Sequence, residues 1–492
     1  MSLINVTNLT FAYEGSYDNI FENVSFRIDT DWKLGFTGRN GRGKTTFLNL
    51  LTGKYEYSGN ISADVTFEYF PYEVQEASDF TIDIIREICP NSMEWEIEKE
   101  LSLLDMDYEA LYRSFYTLSK GEQTKALLAA MFLKENSFLL IDEPTNHLDA
   151  EARQKLSNYL KKKKGFILIS HDRSFLDNCV DHILSINKTN IEIQKGNFSS
   201  WWRNKELQDG FELAENEKLK KDINRLSSSV KRTSTWSDSV ESSKYGTTNS
   251  GSKLDKGYVG HKAAKMMKRA KNIEARQQNM IEEKSKLLKN IESNESLKII
   301  PLTFHDKKLV ELTELSIEYD NKIVCEGVSF TIEQGDKIAI QGKNGSGKSS
   351  IMKLIYGEDI PHNGVVRKNN DLIISYVSQD TSDLGGNLSE YADKYNIDES
   401  LFKSMLKKLD FSKEQFEKNI EDFSGGQKKK VLIAKSLCEQ AHLYIWDEPL
   451  NFIDVISRMQ IENLLNEHEL TILFVEHDKA FCENVATKTI KL

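Results

Sequence analysis

The chain has 492 residues, of which 39% are hydrophobic, so it is too long for one ordinary domain and apolar enough to bury more than one core. Its longest uninterrupted apolar run, residues 126–133, is far shorter than the roughly 20 residues that a membrane-spanning helix needs. A formal net charge of −11 argues against a protein that coats nucleic acid over its whole surface, and five scattered cysteines argue against a zinc site or a disulfide framework. The length therefore predicts two or three domains, and the short apolar runs predict no membrane domain. Because the start of the chain lacks a secretory pattern, we expect a cytoplasmic protein.

The first half opens on alternating apolar residues, which indicate strands, and then reaches a glycine-rich loop. Residues 38–46 read GRNGRGKTT, which matches the pattern G-x-x-x-x-G-K-S/T. Glycines in this pattern let successive backbone N–H groups turn toward phosphate oxygens, with a helix N-terminus behind them. The lysine would neutralise the β and γ phosphates, and the hydroxyl after it would bind magnesium. The residues predicted to hold the phosphates are Gly38, Asn40, Gly41, Gly43, Lys44, Thr45 and Thr46.

Later apolar strands of the first half lead into polar residues that suit phosphate hydrolysis. Asp142 ends the segment FLLID, where a carboxylate can hold magnesium through water together with Thr45. Glu143 follows it and would polarise the attacking water as a general base. His171 follows another apolar strand and is interpreted as a sensor of the γ-phosphate. The other interpretation is a buried structural pair of carboxylates and an ordinary core or surface histidine.

A strongly basic segment lies between the two halves. Residues 218–276 contain 15 Lys and Arg against 5 Asp and Glu. Apolar residues recur at helical spacing on both sides of a stretch rich in Ser, Gly and Lys, which predicts an antiparallel helical hairpin. About thirty residues per arm, at about 1.5 Å each, give a reach of roughly 45 Å. The seam residues are Leu219, Ile223, Leu226 and Val230 on the outward arm and Met266, Ile273, Met280 and Leu287 on the return arm.

Two interpretations of this basic segment remain open. It is either a solvated charged spacer or an element whose cations contact RNA phosphates and whose aromatic tip residues stack on bases. Phosphate contacts of this kind would make binding strongly dependent on salt without selecting a base sequence. The predicted RNA contacts are Lys231, Arg232, Lys244, Lys253, Tyr258, His261, Lys262, Lys265, Lys268 and Arg269.

The second half repeats the first in register. The spacing of 75 residues from Lys44 to Ser119 recurs as 76 residues from Lys348 to Ser424, and each serine precedes by 23 residues an aspartate that ends an apolar strand. The order of strands, glycine loop and helices predicts two α/β domains, each with a mainly parallel sheet covered by helices. The predicted domains are residues 1–203 and 308–492, joined by a linker at residues 204–307.

The repeat gives the second half the same predicted chemistry. Asp447 would hold magnesium with Ser349, Glu448 would be the general base, and His477 would sense the γ-phosphate. The second glycine loop, residues 342–350, reads GKNGSGKSS. The residues predicted to hold the second set of phosphates are Gly342, Asn344, Gly345, Gly347, Lys348, Ser349 and Ser350.

The motifs LSKGEQ and FSGGQ, together with the two glycine loops and the segment IDEPTNHLD, resemble the signature sequences of the ATP-binding cassette (ABC) superfamily. The resemblance implies two tandem P-loop ABC ATPase domains that bind ATP and Mg²⁺. It also implies that the signature of one half closes over the nucleotide held by the P-loop of the other. We call the first P-loop paired with Ser424, Gly425 and Gly426 the first ATP site. The second P-loop paired with Ser119 and Gly121 is the second ATP site.

The same resemblance implies further contacts and two departures from the family pattern. Tyr13 and Tyr319 would stack on adenine, or they are ordinary aromatic residues of strands. Gln379, in YVSQD, matches a glutamine near magnesium and the attacking water, whereas the first half has Tyr72 at that place. The second half also has Phe452 where the first has a histidine. Because both predicted catalytic glutamates are retained, we expect ATP hydrolysis. Because the two halves differ at these positions, we expect hydrolysis to be unequal at the two sites.

Twin cassettes without a membrane span resemble, over essentially the full length, the F subfamily, whose members act on ribosomes. The long linker tip, the absence of an insertion between the first P-loop and its signature, and the absence of a C-terminal extension are similar to antibiotic-resistance proteins of the Lsa and Vga type. The likeness implies a monomeric, cytoplasmic, ribosome-associated ATPase.

In its ATP-bound form such a protein would enter the tRNA exit site of the bacterial ribosome, where it would contact rRNA and P-site tRNA but not DNA. Its linker would reach toward the peptidyl-transferase centre and promote release of lincosamides, pleuromutilins or streptogramin A compounds. A housekeeping translation factor of the same subfamily and the soluble ATPase module of a membrane exporter remain the alternatives.

Overall fold

The computed structural model divides the chain into two compact units, of which the first contains Met1–Trp201 and Asn294–Leu492 and the second contains Trp202–Ser293. The first unit therefore contains residues 1–201 of the first predicted α/β domain and the whole of the second. Among the described residues, no helix is long and apolar enough to cross a membrane. The structure describes residues 2–13, 19–74, 79–146, 148–187, 190–242, 265, 268, 272, 275, 276, 299, 301–319, 322–343, 345–382 and 384–492.

The described part of the first half forms two sheets. An antiparallel sheet has the strand order β2-β1-β4, and a second sheet has the order β5-β6-β7-β3-β8-β9 and is parallel except for β9. The strands are β1 Leu3–Phe11, β2 Phe21–Asp29, β3 Lys33–Thr37, β4 Ser58–Ser62, β5 Thr66–Phe70, β6 Ser137–Asp142, β7 Phe166–Ile169, β8 His182–Asn187 and β9 Asn190–Lys195. The helices are α1 Lys44–Leu51, α2 Thr81–Ile88, α3 Glu94–Leu103, α4 Lys120–Leu133, α5 Ala150–Lys161 and α6 Arg173–Cys179.

The second half repeats this architecture. Its antiparallel sheet has the order β11-β10-β13, and its parallel sheet has the order β14-β15-β16-β12-β17, which matches β5-β6-β7-β3-β8. The strands are β10 Lys308–Tyr319, β11 Lys322–Glu333, β12 Lys337–Gln341, β13 His362–Lys368, β14 Ile374–Val377, β15 Leu443–Asp447, β16 Ile472–Val475 and β17 Lys488–Lys491. The helices are α8 Lys348–Tyr356, α9 Leu388–Lys394, α10 Glu399–Lys408, α11 Gly425–Cys438, α12 Val455–Glu467 and α13 Lys479–Val485. The predicted tandem α/β fold is thereby confirmed.

The central strands of each parallel sheet are continuous apolar runs because both of their faces are covered, one of them by the antiparallel sheet together with the helix that follows the P-loop. In β6, the side chains from Phe138 to Ile141 are at most 1% exposed, and in β15 those from Leu443 to Trp446 are equally buried. The carboxyl ends of parallel strands meet at one edge of the sheet. As a result, the residues after β3, β6 and β7 come together in the first half, and those after β12, β15 and β16 come together in the second.

The linker begins as a long helix, α7, which spans Phe198–Ser242. At about 1.5 Å per residue, its 45 residues extend over roughly 68 Å. Leu219 and Ile223 of the predicted seam are partly buried, as expected for the apolar face of a helix. The described residues of the return arm, which are Lys265, Lys268, Asn272, Ala275 and Arg276, are helical and exposed.

Candidate ATP sites

The first P-loop turns sharply and leads directly into α1. Gly41 and Gly43 have φ of 80° and 89°, a left-handed conformation that glycine adopts readily. A Cβ on Gly43 would also lie 2.5 Å from Ile20 Cγ2, so this position has no room for a side chain. The loop therefore needs these glycines at the N-terminus of α1, where backbone N–H groups favour anions.

Lys44 folds back over its own loop. Its Nζ donates hydrogen bonds to Gly38 O at 2.8 Å, Arg39 O at 3.2 Å and Asn40 Oδ1 at 3.2 Å. Burial lowers the pKa of Lys44, while the Asp454 carboxylate of the second half opposes that shift. Lys348 repeats the arrangement, with Nζ 2.9 Å from Gly342 O. Both lysines thus have ammonium groups held at the loop by carbonyl oxygens, which phosphate oxygens would replace.

The metal-ligand pair predicted for the first half comes together at the sheet edge. Thr45 Oγ1 donates to Asp142 Oδ2 at 2.9 Å, and Tyr69 OH donates to the same oxygen at 3.1 Å. In the second half, Asp447 Oδ1 is buried without a hydrogen-bond partner among the described residues. Burial raises the pKa of Asp447, and a side-chain hydrogen bond with Ser349 opposes that shift only in part. A hydroxyl beside a carboxylate with an unused oxygen fits Mg²⁺, which prefers oxygen ligands. The two metal-ligand assignments stay predictions.

Glu143 lies in a confined environment in the first ATP site. Its backbone has φ of 50°, and its N–H donates to Ile169 O at 2.9 Å, so the residue is fixed at the end of β6. His171 Nε2 lies 3.2 Å from Glu143 Oε1. Burial, and then the neighbouring Asp142 carboxylate, raise the pKa of Glu143 to about 8. Burial lowers the pKa of His171 well below its ordinary value, and this imidazole is therefore neutral.

Glu448 lies among several hydrogen-bonding side chains in the second ATP site. Gln379 Nε2 donates to Glu448 Oε2 at 2.8 Å, Asn451 Nδ2 donates to the same oxygen at 2.7 Å, and His477 Nε2 lies 3.2 Å from Oε1. Burial raises the pKa of Glu448, but the hydrogen bonds and charge around it, first those of His477, outweigh burial and leave the pKa below its ordinary value. Glu448 is therefore ionised at neutral pH.

The signature of the second half packs against the first P-loop. A Cβ on Gly426 would lie 2.4 Å from Phe452 O and 3.3 Å from Asn40 Nδ2, and Asn40 Nδ2 itself donates to Phe452 O at 2.8 Å. Ser424 is the N-cap residue of α11, where its Oγ accepts from the Gln427 N–H. Gly425 is adjacent and exposed. Residues of the two halves thus meet at the first ATP site.

The signature of the first half faces the second P-loop across a cavity of about 1000 Å³. That volume is enough for a nucleotide. Ser119 at the start of α4 accepts from the Glu122 N–H, and Gly121 follows it. The cavity is lined by Ser119, Gly121, Gly345, Gly347, Lys348, Ser349, Ser350, Gln379, Glu448 and His477, among others.

The two tyrosines predicted to stack on adenine occupy equivalent places. Tyr13 is 41% exposed and its OH lies 2.7 Å from Thr46 Oγ1. Tyr319 is 42% exposed and its OH donates to Ser350 Oγ at 3.2 Å. Each ring therefore lies beside its P-loop and is partly exposed, and the stacking role stays a prediction.

The structure describes only some of the remaining predicted residues. Lys231 and Arg232 are on α7, and Lys265 and Lys268 are exposed helical residues. Asn344 and the remaining predicted RNA contacts, Lys244, Lys253, Tyr258, His261, Lys262 and Arg269, are outside the described residues.

Sequence reasoning missed a set of ion pairs between the halves. Arg39 and Arg42 of the first P-loop each have a guanidinium nitrogen 3.7 Å from Asp410 Oδ1. Arg173 pairs with Glu462, and both side chains are about nine-tenths buried. A comparison of the two P-loops could have indicated the pairs made by Arg39 and Arg42. The first loop, GRNGRGKTT, has two arginines where the second, GKNGSGKSS, has a lysine and a serine.

Comparisons with known proteins agree with this geometry. A family model described as ABC transporter matches residues 21–146 and 325–451. Ribosome protection protein VmlR of Bacillus subtilis (strain 168) is 27% identical over 498 residues, which cover 99% of this chain and 86% of the relative. ABC transporter F family member 2 of Arabidopsis thaliana is 25% identical over 546 residues, which cover 99% of this chain and 76% of that protein.

A solved structure also has the same fold. The crystal structure of archaeal ribosome recycling factor aABCE1 in complex with the archaeal ribosomal stalk protein aP1 matches with a TM-score of 0.63 at 18% identity, covering 98% of this chain and 87% of that one. The family model covers the P-loop, signature and carboxylate motifs of both halves. The chain therefore belongs to the ABC transporter family of ATP-binding cassette proteins, within its F subfamily, and is an ATP hydrolase.

Proposed function

We propose that this chain is a ribosome-protection ATPase of the Lsa and Vga type. In its ATP-closed form it would bind the bacterial ribosome at the tRNA exit site, and its linker tip would dislodge lincosamides, pleuromutilins or streptogramin A compounds near the peptidyl-transferase centre. The observation that carries this proposal is that one chain combines two ATP sites, each with residues of both halves, with a basic helical linker between those halves. The similarity to VmlR, whose name is ribosome protection protein, supports it.

Nucleotide binding would control the closure of the halves. Each ATP needs the P-loop of one half and the signature of the other, so two bound nucleotides favour the closed arrangement. A ribosome can shift this equilibrium only by binding one arrangement better than the other. We propose that the ribosome prefers the closed form, and that hydrolysis favours release by removing the γ-phosphates that bridge the halves.

Hydrolysis would use the residues gathered at the sheet edge. Lys348 would exchange its loop carbonyl partners for the β and γ phosphates, and Mg²⁺ held near Ser349 and Asp447 would neutralise phosphate charge. Glu448 would accept a proton from the water that attacks the γ-phosphorus. Gln379 and His477 hold the Glu448 carboxylate from two sides and so fix the direction from which it receives that proton.

The linker would supply affinity for rRNA. Lys218, Lys220 and Lys221 are exposed on α7, and Lys265 and Lys268 are exposed on the return arm. Each lysine that neutralises a phosphate makes the logarithm of the binding constant fall more steeply with the logarithm of salt concentration. Binding through these residues would therefore be strongly salt-sensitive and would not depend on base sequence.

The test is co-sedimentation of the Glu143→Gln/Glu448→Gln protein with bacterial ribosomes in ATP, in ADP and across a salt series. We expect pelleting with ATP that is lost in ADP and weakened by salt. The matched control is Lys44→Ala/Lys348→Ala, which should fail to pellet because its P-loops cannot hold phosphates. A folded double-glutamine protein that binds ATP and yet never pellets would overturn the proposal.

A housekeeping translation factor of the same subfamily is the second candidate, and the similarity to ABC transporter F family member 2 is compatible with it. Drug susceptibility separates the two. Resistance gained on heterologous expression would support ribosome protection, whereas slow growth after deletion, without drug and without a change in susceptibility, would support the housekeeping role.

A further inference from the structure

A buried lysine of the second half lies in the second ATP site and has no counterpart in the first. Lys429, on the signature helix α11, is 2% exposed and lines the nucleotide cavity together with Gln379 and Glu448. Its Nζ donates to Ser378 O at 2.9 Å. Ser378 directly precedes Gln379, so the ammonium group holds the backbone of the turn that presents the Gln379 amide.

The charge of Lys429 is compatible with its burial because carboxylates surround it. Burial lowers the pKa of Lys429, and the carboxylates of Glu476, Asp447, Glu448 and Asp380 oppose that shift. A buried ammonium is retained at low cost only when it is paired and hydrogen-bonded. The second half supplies a carbonyl oxygen at hydrogen-bond distance, and the carboxylates of neighbouring elements favour the charged form of the lysine.

The first half differs at both ends of this contact. Thr124 occupies the position equivalent to Lys429, and its hydroxyl donates to Lys120 O within its own helix at 3.0 Å. The equivalent of Gln379 is Tyr72. The lysine and the glutamine thus occur together in the second half and are replaced together in the first.

We propose that Lys429 is a positioning residue for ATP hydrolysis at the second site, and that it acts by fixing the Ser378–Gln379 turn so that Gln379 reaches Glu448. The chain of contacts runs from Lys429 Nζ to Ser378 O, and from Gln379 Nε2 to Glu448 Oε2 at 2.8 Å. Without the hydrogen bond from Lys429 to Ser378 O, the Ser378–Gln379 turn is less firmly positioned and the Gln379 amide can shift. Small displacements of groups that orient a general base reduce turnover without weakening ATP binding.

The experiment measures steady-state ATP hydrolysis by the full chain carrying Lys429→Thr, which installs the residue of the first half. We expect kcat to fall about tenfold while KM for ATP stays within about twofold. The matched control is Lys428→Thr, which removes the same charge from the adjacent position of the same helix and should leave kcat within about twofold. Lys429→Arg, which can still donate to Ser378 O, should recover part of the loss.

A double-mutant comparison separates positioning from general loss of structure. If Lys429 acts through Gln379, adding Lys429→Thr to Gln379→Ala should reduce kcat by less than about twofold further, because the contact it supports is already gone. Additive losses would overturn the proposal. So would a Lys429→Thr protein with unchanged kcat, or one with raised KM and normal kcat, which would indicate a phosphate-binding role instead.

Discussion

The two ATP sites are built from the same motifs but are held together differently. At the first site, Arg39 and Arg42 of the P-loop approach Asp410 of the other half. At the second site the residue equivalent to Arg42 is Ser346, which cannot form an ion pair. The same contrast recurs beside the sites, where Arg173 pairs with Glu462 on one side and the residue equivalent to Glu462 is Ser157 on the other.

The two glutamates predicted to act as general bases differ in the same direction. Glu448 accepts hydrogen bonds from Gln379 and Asn451 and has a pKa below its ordinary value, whereas burial and Asp142 raise the pKa of Glu143 to about 8. A duplicated domain thus keeps its motifs while the residues around them diverge. We infer that the first site is specialised for holding the halves together and the second for turnover, and the following variants test that division.

The largest contrast should come from replacing each predicted general base in turn. Glu448→Gln should lower steady-state ATP turnover by about a hundredfold or more, because it removes proton transfer at the site where Gln379 and Asn451 orient an ionised glutamate. Glu143→Gln should lower turnover by less than about threefold. Phosphate-release assays on both proteins measure the difference. Equal losses of turnover would show that both sites contribute equally to ATP hydrolysis.

The next effect concerns a buried ion pair beside the first site. Lys430 Nζ lies 3.0 Å from Asp454 Oδ2, and both side chains are at most 5% exposed. Asp454→Asn keeps an N-cap for α12 but leaves the lysine unpaired, so it should reduce the free energy of unfolding by about 3–5 kcal/mol. Asp149→Asn, the equivalent change in the first half, should cost less than about 1 kcal/mol. Urea unfolding measures both.

The pH dependence of that loss has a definite sign. Burial raises the pKa of Asp454, but the charge of Lys430 and the Ser457 N–H outweigh it and leave the pKa far below its ordinary value. The stabilisation is therefore present above the ordinary Asp pKa of about 3.9 and is lost as the pH falls below it. The stability gap between the unmodified protein and Asp454→Asn should be constant from about pH 8 to 5 and shrink below about pH 4. A gap that widens with acid would contradict this.

A smaller effect should distinguish two equivalent tyrosines. Tyr69 OH donates to Asp142 Oδ2, whereas Tyr376 OH is buried without a hydrogen-bond partner among the described residues. Tyr69→Phe should therefore destabilise the protein by about 1 kcal/mol, and Tyr376→Phe should be neutral or slightly stabilising. Thermal unfolding of the two variants provides the comparison, and the reverse order would exclude the Tyr69 bond as a stabilising contact.

The smallest effect should come from the P-loop arginine. Arg42 and Asp410 are partly exposed, so their pair is worth about 0.5–1 kcal/mol. Arg42→Ser, which copies the second loop, should speed dissociation of a fluorescent ATP analogue from the first site by about two- to fivefold in the Glu143→Gln/Glu448→Gln protein. Ser346→Arg is the control and should leave dissociation unchanged, because Lys155 holds Asp105, the residue equivalent to Asp410. An equal response to both variants would contradict the proposed role of the Arg42–Asp410 pair in holding the halves together.

The fold and the motif positions could be predicted from the sequence because they depend on local patterns. Apolar strands such as Phe138–Ile141 and the glycines at 41 and 43 are determined by burial and by backbone conformation, which a single sequence reveals. The approach of Gly426 to Asn40 could be anticipated only from the family resemblance, because it joins residues 386 positions apart.

The contacts that distinguish the two sites could not be predicted in this way. Lys429 and Lys430 are neighbours in a basic stretch that reads as a solvated helix face, yet one contacts Ser378 O and the other Asp454. Which partner each lysine meets depends on how α11 packs between the sheet and the preceding loops. Pairings such as Arg173 with Glu462 likewise depend on the arrangement of the two halves, which no local pattern encodes.

The most direct test is ATP-dependent co-sedimentation with bacterial ribosomes of Glu448→Gln and Glu143→Gln as separate proteins. We predict that Glu448→Gln stays on the ribosome with ATP at physiological salt, because turnover is blocked at the working site, whereas Glu143→Gln hydrolyses ATP and is released. Equal retention of both proteins would contradict the division of labour between the sites. Failure of both to pellet, from folded proteins that bind ATP, would contradict the ribosomal function itself.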